Sequence, residues 1–294
     1  MICSKCHKEH QEKTKQCNDC KERDRNRRKK DPEKFRERDR LRREKDPEKY
    51  NQKTRTHRQN NLEKVRESDR LRNATRTRKL YEIKRSALKR NISFQINDED
   101  AMAMTDLDCF YCGIENTEIR RNGIDRLDNT KPYTTDNCVS CCGTCNLMKH
   151  CLDAKTFVER CSQISLHNGG EGKMCDYWDD IKGYSFSQYQ SVMKKYGFDI
   201  TKEEYEMLRL GNCTYCGRSC TATHTNGIDR LDSSKGYILA NCVTCCGSCN
   251  ISKKTMSSED FINKCQTIAS KTFALPNIPR CVHIFKKNRP VVSS

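Results

Sequence analysis

The most constraining feature of this 294-residue chain is a cysteine pattern that occurs twice. Cys109-x2-Cys112 is followed about thirty residues later by Cys142-x2-Cys145, and the same spacing returns at Cys213, Cys216, Cys246 and Cys249, offset by 104 without a gap. Phe94 aligns with Phe198, Ile96 with Ile200, Phe157 with Phe261 and Cys161 with Cys265, and roughly half the positions in the cysteine-bearing stretch are identical. Duplication of one module is the economical explanation. Each tight C-x2-C turn offers two thiolates to one ion, so two such turns make a tetrahedral zinc site. A rival second pair abuts the first in each copy, Cys138-x2-Cys141 and Cys242-x2-Cys245. The later pairs are favoured because Cys142 and Cys145 lead into Asn146-x2-Lys149, which reads as a knuckle opening a helix. Cys138 and Cys141 lie in an apolar stretch, where free cysteine packs as a small hydrophobe. Cys161 and Cys265 read as core residues, and Cys151, Cys175, Cys220 and Cys281 have no matching partner.

A third set, Cys3, Cys6, Cys17 and Cys20, has the spacing of a small zinc ribbon, with His7 and His10 nearby as bystanders because four thiolates already fill a tetrahedral shell. The count expected is therefore about three structural Zn2+ ions. The first residues contain no apolar run resembling a signal peptide, and no stretch approaches the roughly 18 apolar residues of a membrane span. The 22 cysteines are accordingly expected as reduced thiols in an intracellular compartment, with no membrane partner.

Charge divides the rest. Of a net +17, nearly all lies between Lys21 and Arg90, where 29 Lys and Arg face 13 Asp and Glu. That is the electrostatic footprint of a phosphate-binding element. The block contains a fifteen-residue repeat opening at Asp31, Asp46 and Asn61. Each repeat starts like a helix, with Asp or Asn as cap, Pro32 or Pro47 at the first position, and Glu33, Glu48 or Glu63 in the first turn. Phe35, Leu41, Tyr50, Val65 and Leu71 are too few apolar side chains for a bundle. The organisation expected is a ribbon (1–20), a basic helical arm (21–85), a first module (86–164), a linker (165–182) holding the loop HNGGEGK, a second module (183–268) and a basic tail (269–294).

The order C-x2-C, Asp-Arg, Asn, C-x2-C-Asn-x2-Lys resembles the HNH family of ββα-metal endonucleases, in the cysteine-rich form common in phages and large DNA viruses. The likeness covers most of both copies, and a cysteine ribbon followed by Pro-Glu-Lys helices is similar to the leader of many phage HNH proteins. It implies an α+β fold of small zinc-stabilised ββα-metal modules in tandem. It also implies phosphodiester hydrolysis of nucleic acid, DNA ahead of RNA, with Mg2+ or another divalent ion as catalyst. Carried over, Asp125 and Asp229 take the place of the metal-binding Asp, Asn137 and Asn241 that of the Asn bracing the hairpin, and Asn146 and Asn250 that of the last residue facing the metal.

The family usually reads Asp-His, and its histidine is the general base; here Arg126 and Arg230 stand in that place. A guanidinium, with a pKa above about 12, accepts no proton at neutral pH, but it can clamp a phosphate. Asp128 and Asp232, three residues beyond the first Asp, offer a second carboxylate as ligand or base. Asp125 with Asn146, or Asp229 with Asn250, would then hold the ion. The alternative is a non-catalytic DNA- or RNA-binding zinc protein built on the same scaffold. His150 and His224 each occur in one copy only and read as surface residues. Tyr133 and Tyr237 read as hairpin packing, and Asn122-Gly123 and Asn226-Gly227 as its turn.

Overall fold

The computed structural model describes residues 2–9, 16–73, 75–117 and 120–284, and the chain divides between Asp69 and Arg70 into two units. It is mixed α/β: helices accompany three small two-stranded sheets. No helix among the described residues is long and apolar enough to cross a membrane.

The first unit sets Cys3, Cys6 and Cys17 ahead of basic helix α1 (Asn18–Lys30), which carries Cys20, followed by α2 (Pro32–Lys45) and α3 (Pro47–Asn60); α4 (Leu62–Asn73) crosses the division. Punctuation follows the fifteen-residue repeat. The Asp31 and Asp46 carboxylates accept the amides of Lys34 and Lys49 at 3.1 and 3.0 Å, and proline follows each cap where the helix needs no donor. With no core to enter, Leu41 and Tyr50 stay exposed. Arginines cover part of what remains: Arg28 and Arg38 lie over the Phe35 ring and Arg43 over Tyr50, 4.6–5.9 Å from the ring centres.

In the second unit α5 (Arg76–Lys89) packs on a hairpin, burying Leu80 and Ala87 with Ile96, Ala101, Ile124, Tyr133 and Cys138. The arm boundary expected near 85 therefore falls inside a helix of the first copy. Leu80 continues the fifteen-residue register of Phe35, Tyr50 and Val65, and of these four it is the one that is buried. The first copy continues with α6 (Asp98–Asp106), β1 (Gly123–Arg126), β2 (Cys138–Cys141), α7 (Gly143–Lys149) and α8 (Ala154–His167). The second contains α9 (Phe186–Met193), β3 (Phe198–Asp199), α10 (Lys202–Leu210), β4 (Gly227–Arg230), β5 (Tyr237–Ile238), β6 (Cys242–Cys245), α11 (Gly247–Lys253) and α12 (Ser258–Ala269). Duplication persists in the register: β1 pairs antiparallel with β2, Arg126 opposite Cys138, and β4 with β6, Arg230 opposite Cys242. The parallel β3–β5 pair, Phe198 opposite Tyr237, repeats the Phe94–Tyr133 bridge.

The copies share one core. Helices α8 and α12 pack against each other, burying Phe157, Cys161 and Ile164 with Phe261, Cys265 and Ile268, together with the cysteines of both knuckles. The segment before residue 285 returns over this core, with Ile278, Val282 and Ile284 buried. Arg280 grips Glu159 through two bonds of 2.6 and 2.7 Å, the Cys281 amide donates to Asp153 at 2.7 Å, and Arg160 donates to the Val282 carbonyl at 2.7 Å. The basic tail expected from 269 is packed up to residue 284, because its apolar residues cap the α8–α12 interface; residues 285–294 lie outside the described residues. The HNGGEGK loop is fitted tightly: a Cβ on Gly172 would collide with the Ser162 carbonyl oxygen. Glycine serves close approach there, whereas composition suggests slack.

Candidate metal centres and motif residues

Three sets of four thiols converge: Cys3, Cys6, Cys17, Cys20; Cys109, Cys112, Cys142, Cys145; and Cys213, Cys216, Cys246, Cys249. Within each set all sulfurs lie within 4.8 Å of one another, and none of the 22 cysteines is in a disulfide. Zinc–sulfur bonds of about 2.3 Å place tetrahedral sulfurs about 3.8 Å apart. The Cys112–Cys142 and Cys216–Cys246 separations are both 3.8 Å and Cys6–Cys17 is 3.6 Å, so the sets fit a structural Zn2+ ion. Local structure prepares the ligands. Cys142 and Cys246 are N-caps of α7 and α11, their sulfurs accepting the amides of Cys145 and Cys249 at 3.4 Å. Gly113 and Gly217, φ 72° and 76°, turn the first C-x2-C pair of each copy. Neighbouring thiols, Cys112 foremost, hold the Cys109 thiol well below the usual range.

The choice between abutting cysteine pairs resolves in favour of Cys142–Cys145 and Cys246–Cys249. Burial pushes Cys138 and Cys242 up to about 12, as expected of protonated thiols in an apolar wall. Cys141 and Cys245 are also buried outside the sets. His7 is exposed and belongs to no set, and His10 lies outside the described residues.

The carboxylates of the Asp-Arg motif face inward. Asp125 accepts the Tyr111 hydroxyl at 2.8 Å on Oδ2, and the buried Lys149 ammonium lies 3.2 Å from Oδ1 and 3.1 Å from Oδ2. Lys149 also donates to the Arg126 carbonyl at 2.9 Å, tying α7 to β1. The second copy repeats this: Tyr215 donates to Asp229 at 2.7 Å, and Lys253 sits 3.0 Å from Asp229 and 3.1 Å from the Arg230 carbonyl. Burial, with Asp125 close by, raises the Tyr111 pKa well above that of an ordinary tyrosine, so the phenol stays a donor. A buried lysine stands beside each carboxylate carried over as an ion ligand, Asp125 with Asn146 and Asp229 with Asn250. Both Asp125 oxygens have a partner and its charge is met by a buried lysine, whereas Tyr215 and Lys253 both meet Asp229 on Oδ2. Asn146 is exposed, and Asn250 donates to the Ile228 carbonyl at 3.3 Å. Among the described residues, the sets that converge as metal ligands are the three tetracysteine ones.

Arg126 is buried, donating to the carbonyls of Asn129 and Lys131 at 2.9 and 2.6 Å and stacking 5.1 Å over Tyr133. Arg230 is only half-buried, donates to the Lys235 carbonyl at 2.8 Å, and stands between Tyr196 and Tyr237. Asn137 and Asn241 close the hairpin turn: their carbonyls accept the amides of Asp128 and Asp232, and their amides donate to Asp128 and Pro132, or Asp232 and Gly236, all within 2.9–3.1 Å. Asp128 accepts the Thr130 amide and hydroxyl on Oδ1, while Oδ2 is buried without a hydrogen-bond partner. Its counterpart Asp232 is partly exposed.

His150 is exposed, but His224, expected at the surface, is buried. Nδ1 accepts the Ile181 amide at 3.2 Å, so Nε2 carries the proton and donates to Asn226 Oδ1 at 3.1 Å. The residues that sequence reasoning passed over are Tyr111, Tyr215, Lys149 and Lys253. Their recurrence at the 104-residue offset, inside and just after the cysteine turns, was the available signal.

Comparison with known proteins finds similarity to the uncharacterized protein R423 of Acanthamoeba polyphaga mimivirus, 30% identical over 201 residues. That alignment takes in 67% of this chain and 38% of the viral protein, so the chain spans well under half of its relative's length. No family model matches, and no solved structure matches.

Proposed function

We propose that this chain is a zinc-held nucleic-acid-binding protein, DNA the first partner to test, in which the duplicated hairpins serve as scaffold and binding surface and not as a cutting centre. The basic arm supports binding: its cationic helices carry no core of their own and present their charge outward, as a phosphate-tracking element must. The observation that carries the reading over hydrolysis is the buried Lys149–Asp125 pair and its repeat, Lys253–Asp229. A carboxylate whose charge is met by a buried lysine braces a helix against a strand and offers a divalent cation little net attraction.

The HNH-type endonuclease reading retains one observation. Asp232 is partly exposed in the same turn that carries Arg230, whose guanidinium edge is half-open and whose faces are held by Tyr196 and Tyr237. If one copy met a phosphate, the second would do so more readily than the first, where Arg126 and Asp128 are buried.

Fluorescence anisotropy with labelled duplex DNA over a salt series tests the proposal. Affinity should fall steeply with salt, and removal of residues 21–69, which leaves α5 in place, should flatten the slope. An unchanged slope would remove the arm from the account.

A further inference from the structure

Each zinc set needs a counterweight, because four thiolates around Zn2+ leave a net charge of −2, and half-buried or buried anions require nearby cations or donors. In the N-terminal set the counterweight is local: Arg23, on the same helix as the ligand Cys20, donates to Cys20 Sγ at 3.2 Å. The duplicated sets are arranged otherwise. Lys264, on α12 of the second copy, donates to Cys112 Sγ of the first copy at 3.5 Å. The residue at the corresponding position of the first copy is Arg160, on α8, and it shares a cavity of about 10 Å3 with Ser248 and Cys249 of the second copy. Arg160 Nη1 and Ser248 Oγ, both at this cavity, are buried and have no hydrogen-bond partner, and the Arg160 charge interacts with Cys246 and Cys249.

The backbone of each knuckle is held the same way. Gln163 of the first copy and Asn168, just beyond α8, donate to the carbonyls of Cys216 and Tyr215 at 2.7 and 2.8 Å. Lys271, just beyond α12, donates to the Phe110 carbonyl at 3.0 Å, and Ser252 to that of Met148 at 2.8 Å. Each of these bonds joins one copy, or the few residues just after it, to the other copy.

We infer that the two duplicated zinc sites are completed in trans: Lys264 balances the Cys109–Cys145 set and Arg160 the Cys213–Cys249 set, so each copy's retention of zinc depends on a cation supplied by the other. This rests on structural metal binding by the thiols and is independent of the nucleic-acid proposal. It also gives the shared core a purpose: a single copy would keep its ligands yet lose the groups that hold its metal.

The test is zinc release into excess chelator from the full-length, zinc-loaded chain, followed by pulse alkylation and peptide mass spectrometry, which reads each four-cysteine set separately. Lys264→Met should release zinc about tenfold faster from the Cys109–Cys145 set, in the range seen for lost outer-shell partners. The Cys213–Cys249 set should lag behind that change, and the Cys3–Cys20 set should keep the wild-type rate. Arg160→Met should reverse the order of the two duplicated sets, and Lys264→Arg, which keeps the charge, should restore the wild-type pattern. Acceleration confined to a variant's own copy, no acceleration in either, or equal acceleration of both that Lys264→Arg fails to rescue would overturn the inference.

Discussion

Two kinds of buried polar residue carry the modules, and both make predictions. Lys149 is fully buried against Asp125, so truncating it strands a carboxylate in a dry site, at a cost of about 3–5 kcal/mol. Lys149→Ala should therefore lower the thermal midpoint of the second unit sharply, while the paired change Asp125→Leu with Lys149→Met should recover much of the loss. Calorimetry of the zinc-loaded chain decides this, and a neutral Lys149→Ala would show the pair to be incidental. His224 supplies a pH dependence. Burial, reinforced by Arg218, holds its pKa below the ordinary histidine value. The unfolded chain thus binds more protons than the folded one below about pH 6.5, so the contribution of His224 is complete above that pH and lost as pH falls. Protonation would also set an N–H against the Ile181 amide. Between pH 7.5 and 5.5 the wild-type midpoint should fall further than that of His224→Gln; parallel curves would contradict it.

Among the elements, the knuckle helices α7 and α11 are tied to the metal by their own N-caps, since Cys142 and Cys246 are ligand and cap together. Metal analysis should return about three zinc ions per chain, and chelation should unfold the hairpin units cooperatively, as far-ultraviolet circular dichroism would report. A single ion, or helices that survive chelation, would break the ligand assignment. These elements were the legible part of the sequence, because thiol spacing and helix caps are local codes. Asp31 and Asp46 cap as read, and the repeated cysteines converge at the pairs favoured. The fate of α5 was not legible: Leu80 looks like one more sparse apolar residue of the arm until a hairpin some forty residues later covers it. Nor was the burial of Asp125 legible. Its partners Tyr111 and Lys149 are recruited by tertiary packing, and the motif names residues without saying which way they point.

At the scale of the molecule, duplication has produced one body and not two beads, with α8 and α12 as the shared wall and residues 271–284 as the strap across it. No periodicity announces such sharing. The copies have diverged at the hairpin, where the first seals Arg126 and Asp128 and the second leaves Arg230 and Asp232 partly open. The proposed function has the chain engage nucleic acid through a zinc-held scaffold whose motif carboxylates brace the fold and do not cut. Supercoiled plasmid incubated with the zinc-loaded chain and Mg2+, and resolved on a gel before and after protein removal, tests it in one measurement. The expected result is retarded plasmid that returns to its supercoiled form once the protein is stripped away. Plasmid that is never retarded, or that emerges nicked in a manner abolished by Asp128→Ala with Asp232→Ala, would contradict it.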